Sequence, residues 1–308
     1  MFSLSSIVVP FLISFALMPY LISISKKSKK LIDRAEGDEL KIHNKPTSLM
    51  GGLALALSIS EGFFMIYDIK AVAFVLGLLP VFLLGLWDDF KWKHVTTIKP
   101  RFKFVLLILS CFLSALALTV FLMSVNFVPI IWVSLILSFC WVFVMINAIN
   151  YQDGMDGLAG SLVFISMLGL VASSLIFQNY FILSISMVVL ASTLGFLIYN
   201  LPPAKIFMGD SGAYLLGFAL SAIAIAFVKP YNLLTVLGVV FIVGLPLFDG
   251  VFTNMRRIIS GKSIFLGDRS HFYDRLLQGG LSSWKTLFVC WAIQIISVLI
   301  GVFILTYA

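Results

Sequence analysis

The sequence is poor in charge: Asp, Glu, Lys and Arg make up 11% of its 308 residues, where a soluble domain carries about 25%. No polar stretch is long enough to form a separate soluble unit, so a single membrane domain over residues 1–308 is expected. Cysteine is scarce too. Cys111, Cys140 and Cys290 all lie inside apolar segments, with no CxxC and no Cys/His cluster. That argues against a disulfide framework or a zinc site and leaves them as small core residues. No basic region precedes the first apolar run and the basic run follows it, so a retained first span is expected rather than a cleaved signal peptide. No internal repeat is visible, so the inverted halves of many transporters are not apparent.

Apolar sequence fills the rest: 61% of residues are hydrophobic and the mean hydropathy is +1.09. The 29 phenylalanines fall mostly within apolar runs and read as lipid-facing or packing mass. Crossing a ~30 Å hydrocarbon core takes about 20 apolar residues in a helix. Ten candidate spans follow, at about 3–24, 49–66, 71–87, 104–123, 128–149, 161–177, 180–198, 213–228, 233–252 and 286–306. The expected fold is all-α and polytopic. With the N-terminus outside, the inner loops are 25–48, 88–103, 150–160, 199–212 and 253–285, and only Lys70 and Lys229 of the 21 Lys and Arg residues fall outside them. This is the positive-inside pattern, so the net charge of +7 reads as topology and headgroup contact rather than nucleic-acid binding. The polar chemistry is expected on the cytoplasmic face.

Five aspartates lie on that face, in three patches next to membrane-length segments. A charge placed in hydrocarbon costs about 2.5–3.5 kcal/mol even on insertion scales, so gathered acids point to metal-assisted work on a charged substrate. Asp88 and Asp89 precede Lys91, Lys93, Lys99, Arg101 and Lys103. They read either as an interfacial helix cap or as a base or metal pair beside a phosphate-binding basic strip. In the second patch, Asn147 and Asn150 share a face of a helix end, and Asp153 and Asp156 repeat the i,i+3 spacing among glycines. Such oxygen-rich spacing suits a hard cation such as Mg²⁺. The third patch, Asn200 to Gly212, holds Phe207, Met208, Gly209, Asp210 and Ser211. Asp210 and Ser211 suit a helix cap, and Phe207 beside a glycine suits a stacking face for a base. The last inner loop brings Arg269 and His271, a guanidinium fork and an imidazole suited to diphosphate oxygens, or else one more positive-inside loop. Asp249, at the inner end of its span, reads as structural or supporting.

These patches together resemble the polyprenyl-phosphate N-acetylhexosamine-1-phosphate transferases. That superfamily includes the phospho-MurNAc-pentapeptide translocase and the undecaprenyl-phosphate GlcNAc-1-phosphate transferases. The matching pieces run from Lys41-Ile-His43, Pro46 and Gly51-Gly52 through Asp88-Asp89, Asn147–Gly160 and Phe207–Gly212 to Asp268-Arg-Ser-His271, nearly the whole chain. The resemblance implies transfer of HexNAc-1-phosphate from a UDP-N-acetylhexosamine to polyprenyl (undecaprenyl) phosphate, releasing UMP, as the first step of a cell-surface glycan. It implies Mg²⁺, with Mn²⁺ as an alternative, held by Asn150 and Asp210, with Asp153 and Asp156 lining the metal and nucleotide site. Phe207 would stack on uracil with Asn200 nearby. Asp88 and Asp89 would sit at the lipid phosphate, one of them open as a base. Arg269 and His271 would hold the diphosphate or sugar, and Lys99 and Lys103 the acceptor phosphate. A homodimer is left open.

The chain departs from the family pattern in two places. Only the first histidine of a His-x-His-His cluster remains, at His271, which argues against the MurNAc-pentapeptide branch and favours an O-antigen, capsule or related glycan. The segment before Gly51 also lacks a second proline and a basic residue. Two other classes compete. A transporter or channel with an acidic cation site would carry its acids at mid-membrane, whereas these sit at span ends. A CDP-alcohol-type phosphotransferase would show DG-x2-AR, whereas Asp156-Gly157 runs into Leu-Ala-Gly.

Overall fold

The computed structural model describes residues 4–28, 31–33, 46–66, 68–91, 100–120, 127–261 and 269–308. Within them the chain is an all-α polytopic membrane protein with helices α1 Ser5–Ser28, α2 Gly51–Phe64, α3 Ile69–Lys91, α4 Pro100–Val120, α5 Ile131–Gln152, α6 Leu158–Ile176, α7 Tyr180–Asn200, α8 Gly209–Ile225, α9 Leu233–Ile259, α10 Phe272–Gln278 and α11 Ser283–Thr306. Eight of these are long and apolar enough to cross a membrane. α2 and α8, expected among the ten spans, are apolar but have 14 and 17 residues, short of the full ~20-residue span.

Several helices run past the expected span ends. α3 continues through Asp88 and Asp89 to Lys91, and α5 through Asn150 to Gln152. The expected loop 88–103 is therefore partly helix at both ends, because α4 starts at Pro100 and carries Lys103. Hydropathy drops where polar side chains begin, but the backbone of a helix end buried in protein keeps its own hydrogen bonds. The 253–285 loop likewise contains the end of α9 and the short helix α10.

α8 is the hub. Every residue from Ser211 to Ile225 is buried, packed mainly between α3 and α5 with α2, α6, α7 and α9 around it. Its small residues (Gly212, Ala213, Gly217, Ala219, Ser221, Ala222, Ala224) let the neighbouring backbones approach closely. The N-terminus of this central helix delivers Asp210 to the site. Beside it, β1 (Ile32–Asp33) pairs antiparallel with β2 (Thr47–Ser48), and Ser48 bridges in parallel to Ile206. This short ribbon pins the segment before α2 to the one before α8: Gly51 N–H donates to Phe207 O at 3.0 Å and Gly52 N–H to Met208 O at 3.1 Å.

α9 is broken inside the membrane at Gly244 (φ 49°, ψ −121°), two residues before Pro246. Only glycine takes that φ without strain. α11 supplies the partners for the freed backbone groups. Gln294 Oε1 accepts Leu245 N–H at 2.8 Å, its Nε2 donates to Ile242 O at 3.0 Å and to Ser166 Oγ at 2.8 Å, and Ser297 Oγ donates to Phe241 O at 2.7 Å.

Candidate active site

The two adjacent aspartates of α3 have different surroundings. Asp89 is fully buried and caps α8 from outside its own helix. Its Oδ1 accepts Asp210 N–H at 2.9 Å, and its Oδ2 accepts Ser211 N–H at 3.0 Å and Ser211 Oγ–H at 2.7 Å. These are first-turn donors that the helix itself leaves open, at its positive dipole end. Gly209 makes the approach possible: its φ is +67°, and a Cβ there would lie 2.5 Å from Asp89 Oδ2. The cap reading of the Asp pair therefore describes Asp89, in a form supplied across the fold.

Asp88, one residue earlier, turns to Lys103 of α4. Lys103 Nζ donates to Asp88 Oδ2 at 2.5 Å and to Asp210 Oδ2 at 3.0 Å, so one ammonium joins two carboxylates. Asn150 Nδ2 donates to the other Asp210 oxygen at 3.0 Å. Four residues far apart in sequence thus meet where α3, α4, α5 and α8 end. Tyr214, one turn after Asp210, interacts with Lys103 on the same side, a neighbour the sequence reading did not single out. Its signal was the i,i+4 spacing from Asp210.

This cluster stands at the head of a cavity of about 560 Å³ between α4, α5 and α9. Lys103, Asn147, Asn150, Tyr151, Tyr214 and Asn254 give it a polar end, and Phe104, Leu107, Phe143, Val144, Leu247, Val251 and Ile258 an apolar body. Val144 and Leu247 also border a second, almost wholly apolar cavity of about 380 Å³ that reaches Phe127 and Leu233. Along α5 the two are lined from Tyr151 back to Leu137, about 20 Å at 1.5 Å per residue.

The Asp153–Gly157 turn is placed to one side. Asp156 Oδ2 accepts Ala204 N–H at 2.9 Å, clamping the segment before Phe207. Asn200 holds the same turn from below: its Oδ1 accepts Gly157 N–H at 3.1 Å and its Nδ2 donates to Ile206 O at 2.8 Å. Asp153 lies near Tyr273 of α10. Phe207 is half-buried, its backbone fixed by Ser48 O and Gly51 N–H, at the loop entering α8. Among the described residues no three His, Cys, Asp or Glu side chains are grouped to share a metal; Asp88 and Asp210 share Lys103, and Asn150 bonds Asp210 beside them. Lys99 lies outside the described residues.

The last loop folds back against α5 and α9. His271 Nδ1 meets Asp249 Oδ2 at 2.8 Å, and Arg269 Nε lies 3.5 Å from Asp274 Oδ1. Burial holds the Asp274 carboxyl above its ordinary value, against the opposing pull of His271 and Arg269. Burial likewise raises the Tyr273 phenol, with Asp274, Asp249 and Asp153 adding to it. Asp249 and Gln152, which anchor this loop, were not among the expected site residues; Gln152 alone gives no signal in the sequence.

Comparison with known proteins places the chain. The family model described as glycosyl transferase family 4 matches residues 71–228, from α3 through the end of α8. A probable undecaprenyl-phosphate N-acetylglucosaminyl 1-phosphate transferase of Bacillus subtilis is 33% identical over 94% of this chain and 82% of its own length. An undecaprenyl-phosphate alpha-N-acetylglucosaminyl 1-phosphate transferase of Thermotoga maritima is 29% identical over 94% of this chain and 87% of its own length. A phospho-N-acetylmuramoyl-pentapeptide-transferase of Staphylococcus aureus is 31% identical over 95% of this chain and 96% of its own length. With Asp88, Asp89 and Asp210 meeting at the start of α8 inside the matched region, the chain belongs to glycosyl transferase family 4.

Proposed function

We propose that this protein transfers HexNAc-1-phosphate from a UDP-N-acetylhexosamine to polyprenyl phosphate, releasing UMP, at the cytoplasmic face of the membrane. The observation that carries this reading is the Asp88–Lys103–Asp210–Asn150 cluster standing at the head of one cavity, with a second, almost wholly apolar cavity bordering it at Val144 and Leu247. A lipid phosphate needs a cationic group at the membrane edge and an apolar channel behind it. Lys103 offers the first and the α5–α9 cavities the second. The names of the relatives agree with this acceptor and with an N-acetylhexosamine donor.

The residues present fit a hard divalent cation. Asp88 Oδ1 is buried without a hydrogen-bond partner among the described residues, and the cluster already gathers positive charge between two carboxylates. Mg²⁺ takes one or two carboxylates and leaves positions for water and substrate phosphates. Asp210 and Asn150 would hold it, with Asp88 adjacent. Bound there, it would neutralise diphosphate charge and make UMP a better leaving group. Phosphoryl transfer otherwise asks for in-line positioning and charge neutralisation. Lys103 draws the acceptor phosphate to the cluster, and Phe207 offers a face for uracil. Arg269 and His271, held on the last loop by Asp274 and Asp249, would grip the diphosphate or sugar of the donor. The acceptor phosphate is largely ionised near pH 7, so the demand on a base is small.

The test is to incubate purified protein with undecaprenyl phosphate, Mg²⁺ and a panel of UDP-N-acetylhexosamines and to measure UMP. Release with at least one donor, abolished by Asp210→Asn in a protein that still folds, is expected. No release with any donor overturns the reading.

A further inference from the structure

One buried carboxylate, Asp249 under the last loop, has no part in the transfer proposed for the cluster. Asp249 of α9 is 8% exposed and accepts hydrogen bonds from three places in the fold. Its Oδ1 takes the Phe272 backbone N–H at 2.9 Å, and its Oδ2 takes Gln152 Nε2 at 2.8 Å and faces His271 Nδ1 at 2.8 Å. A carboxylate only accepts, so the proton in the last contact belongs on Nδ1. The imidazole has little freedom otherwise. It is buried, lies 5.1 Å from the Tyr151 ring and runs parallel to the Tyr273 ring at 6.1 Å. Nε2 is left as the ring atom that can meet a ligand, and among the described residues it has no hydrogen bond of its own. Gln152 ends α5 two residues after Asn150, and Tyr151 between them lines the cavity. One carboxylate therefore ties the imidazole to the same helix end that carries Asn150.

We propose that Asp249 is a positioning residue of the transfer reaction. It fixes His271 with the proton on Nδ1 and presents Nε2 as an acceptor for a hydroxyl or amide N–H of the donor sugar, while its bond to Gln152 keeps that imidazole in register with Asn150. The inference rests on the transferase reading for its ligand, but the Asp249–His271 pairing is measurable without turnover.

Two measurements on the full-length protein test it. The first is a double-mutant cycle on UMP release. Asp249→Asn alone is expected to lower kcat about 10- to 100-fold, the usual effect of losing a carboxylate that orients a histidine. Added to His271→Ala, it should cost less than about twofold more, because residues acting as one unit are not additive. Asp249→Glu, which keeps a carboxylate, should recover part of the rate. Effects that multiply would mean Asp249 acts apart from His271, and the proposal fails. The second is the ¹⁵N spectrum of histidine-labelled protein, in which the His271 signal is assigned by its loss in His271→Ala. An Nδ1-protonated ring that changes tautomer in Asp249→Asn supports the proposal. An Nε2-protonated ring in the unaltered protein overturns it, and where Asp249→Asn does not fold, that spectrum together with Asp249→Glu still decides. Absence of UMP release from the unaltered protein would sink the transferase reading instead, leaving the spectrum to judge the pairing.

Discussion

Asp89 of α3 and Ser211 of α8 meet twice, through the Ser211 backbone N–H at 3.0 Å and through its hydroxyl at 2.7 Å, both on the same carboxylate oxygen. The helix that presents Asp210 is therefore held at its first turn by an aspartate 122 positions away. Asp89→Ala leaves the Ser211 and Asp210 backbone N–H groups without this acceptor and the Ser211 hydroxyl with only a long contact to Met208 O at 3.4 Å. The loss of a cap is worth about 1 kcal/mol, and each buried unsatisfied donor about 1–3 kcal/mol. A fall in thermal midpoint on the order of 5 °C in detergent is expected, together with loss of turnover as Asp210 shifts. Asp88→Asn should separate the two effects, leaving the midpoint near that of the unaltered protein while UMP release drops about 100-fold or more. Equal effects of the two changes on stability would contradict this division of labour.

Lys103 stands between Asp88 and Asp210, where a metal ion would sit. Lys103→Gln removes a positive charge that competes with a divalent cation for the same oxygens. Two effects of opposite sign follow. UMP release falls about 100-fold because the acceptor phosphate loses its cation. Mn²⁺ binding without substrate, read by electron paramagnetic resonance, tightens by about tenfold, equivalent to ~1.4 kcal/mol. If Lys103 served the lipid phosphate alone, Mn²⁺ affinity would not move.

Much of the fold was legible because membrane helices need long apolar runs, and each of the ten runs corresponds to a helix. Their ends were not, since Asp88, Asp89 and Asn150 continue helices whose polar faces look into the protein instead of starting loops. α10 was hidden inside a basic loop, although Phe272, Leu276 and Leu277 at helical spacing before Gly279-Gly280 mark a short helix and its stop. The break at Gly244 had a signal in the nearby Pro246, but hydropathy does not register φ. The acidic patches themselves were visible as carboxylates beside hydrocarbon. What they bond to was not, because Asp89–Ser211, Asn150–Asp210 and Gln152–Asp249 are long-range pairs that no local pattern encodes.

The last loop carries a pH signature. Burial raises the Asp274 carboxyl above its ordinary value of 3.8, so the folded protein holds that proton more tightly than the unfolded chain. The native state is then favoured at the acid end and loses this contribution as pH rises from the ordinary carboxylate value through the raised one. Asp274→Asn carries no such proton. Its thermal midpoint relative to the unaltered protein should therefore improve on going from about pH 4 to pH 7. A difference that moves the other way would mean that pairing with Arg269 outweighs burial.

Gln294 closes the break in α9 with hydrogen bonds to Leu245 N–H and Ile242 O, donates a third to Ser166 Oγ of α6, and is fully buried. Gln294→Leu keeps the volume roughly constant and removes all three bonds, leaving two backbone groups unsatisfied in a low-dielectric interior. Polar contacts within membranes average about 0.6 kcal/mol each, so a loss of about 2 kcal/mol is expected. Ser297→Ala removes only the bond to Phe241 O and should cost about a third as much. The half of α9 beyond the break carries Asp249 and the cavity residues Leu247, Gly250, Val251 and Asn254, so loosening the break should also lower turnover. Thermal midpoints and UMP release for both variants check this. If Gln294→Leu is no less stable than Ser297→Ala, water or lipid satisfies the broken backbone and α11 is not its clamp.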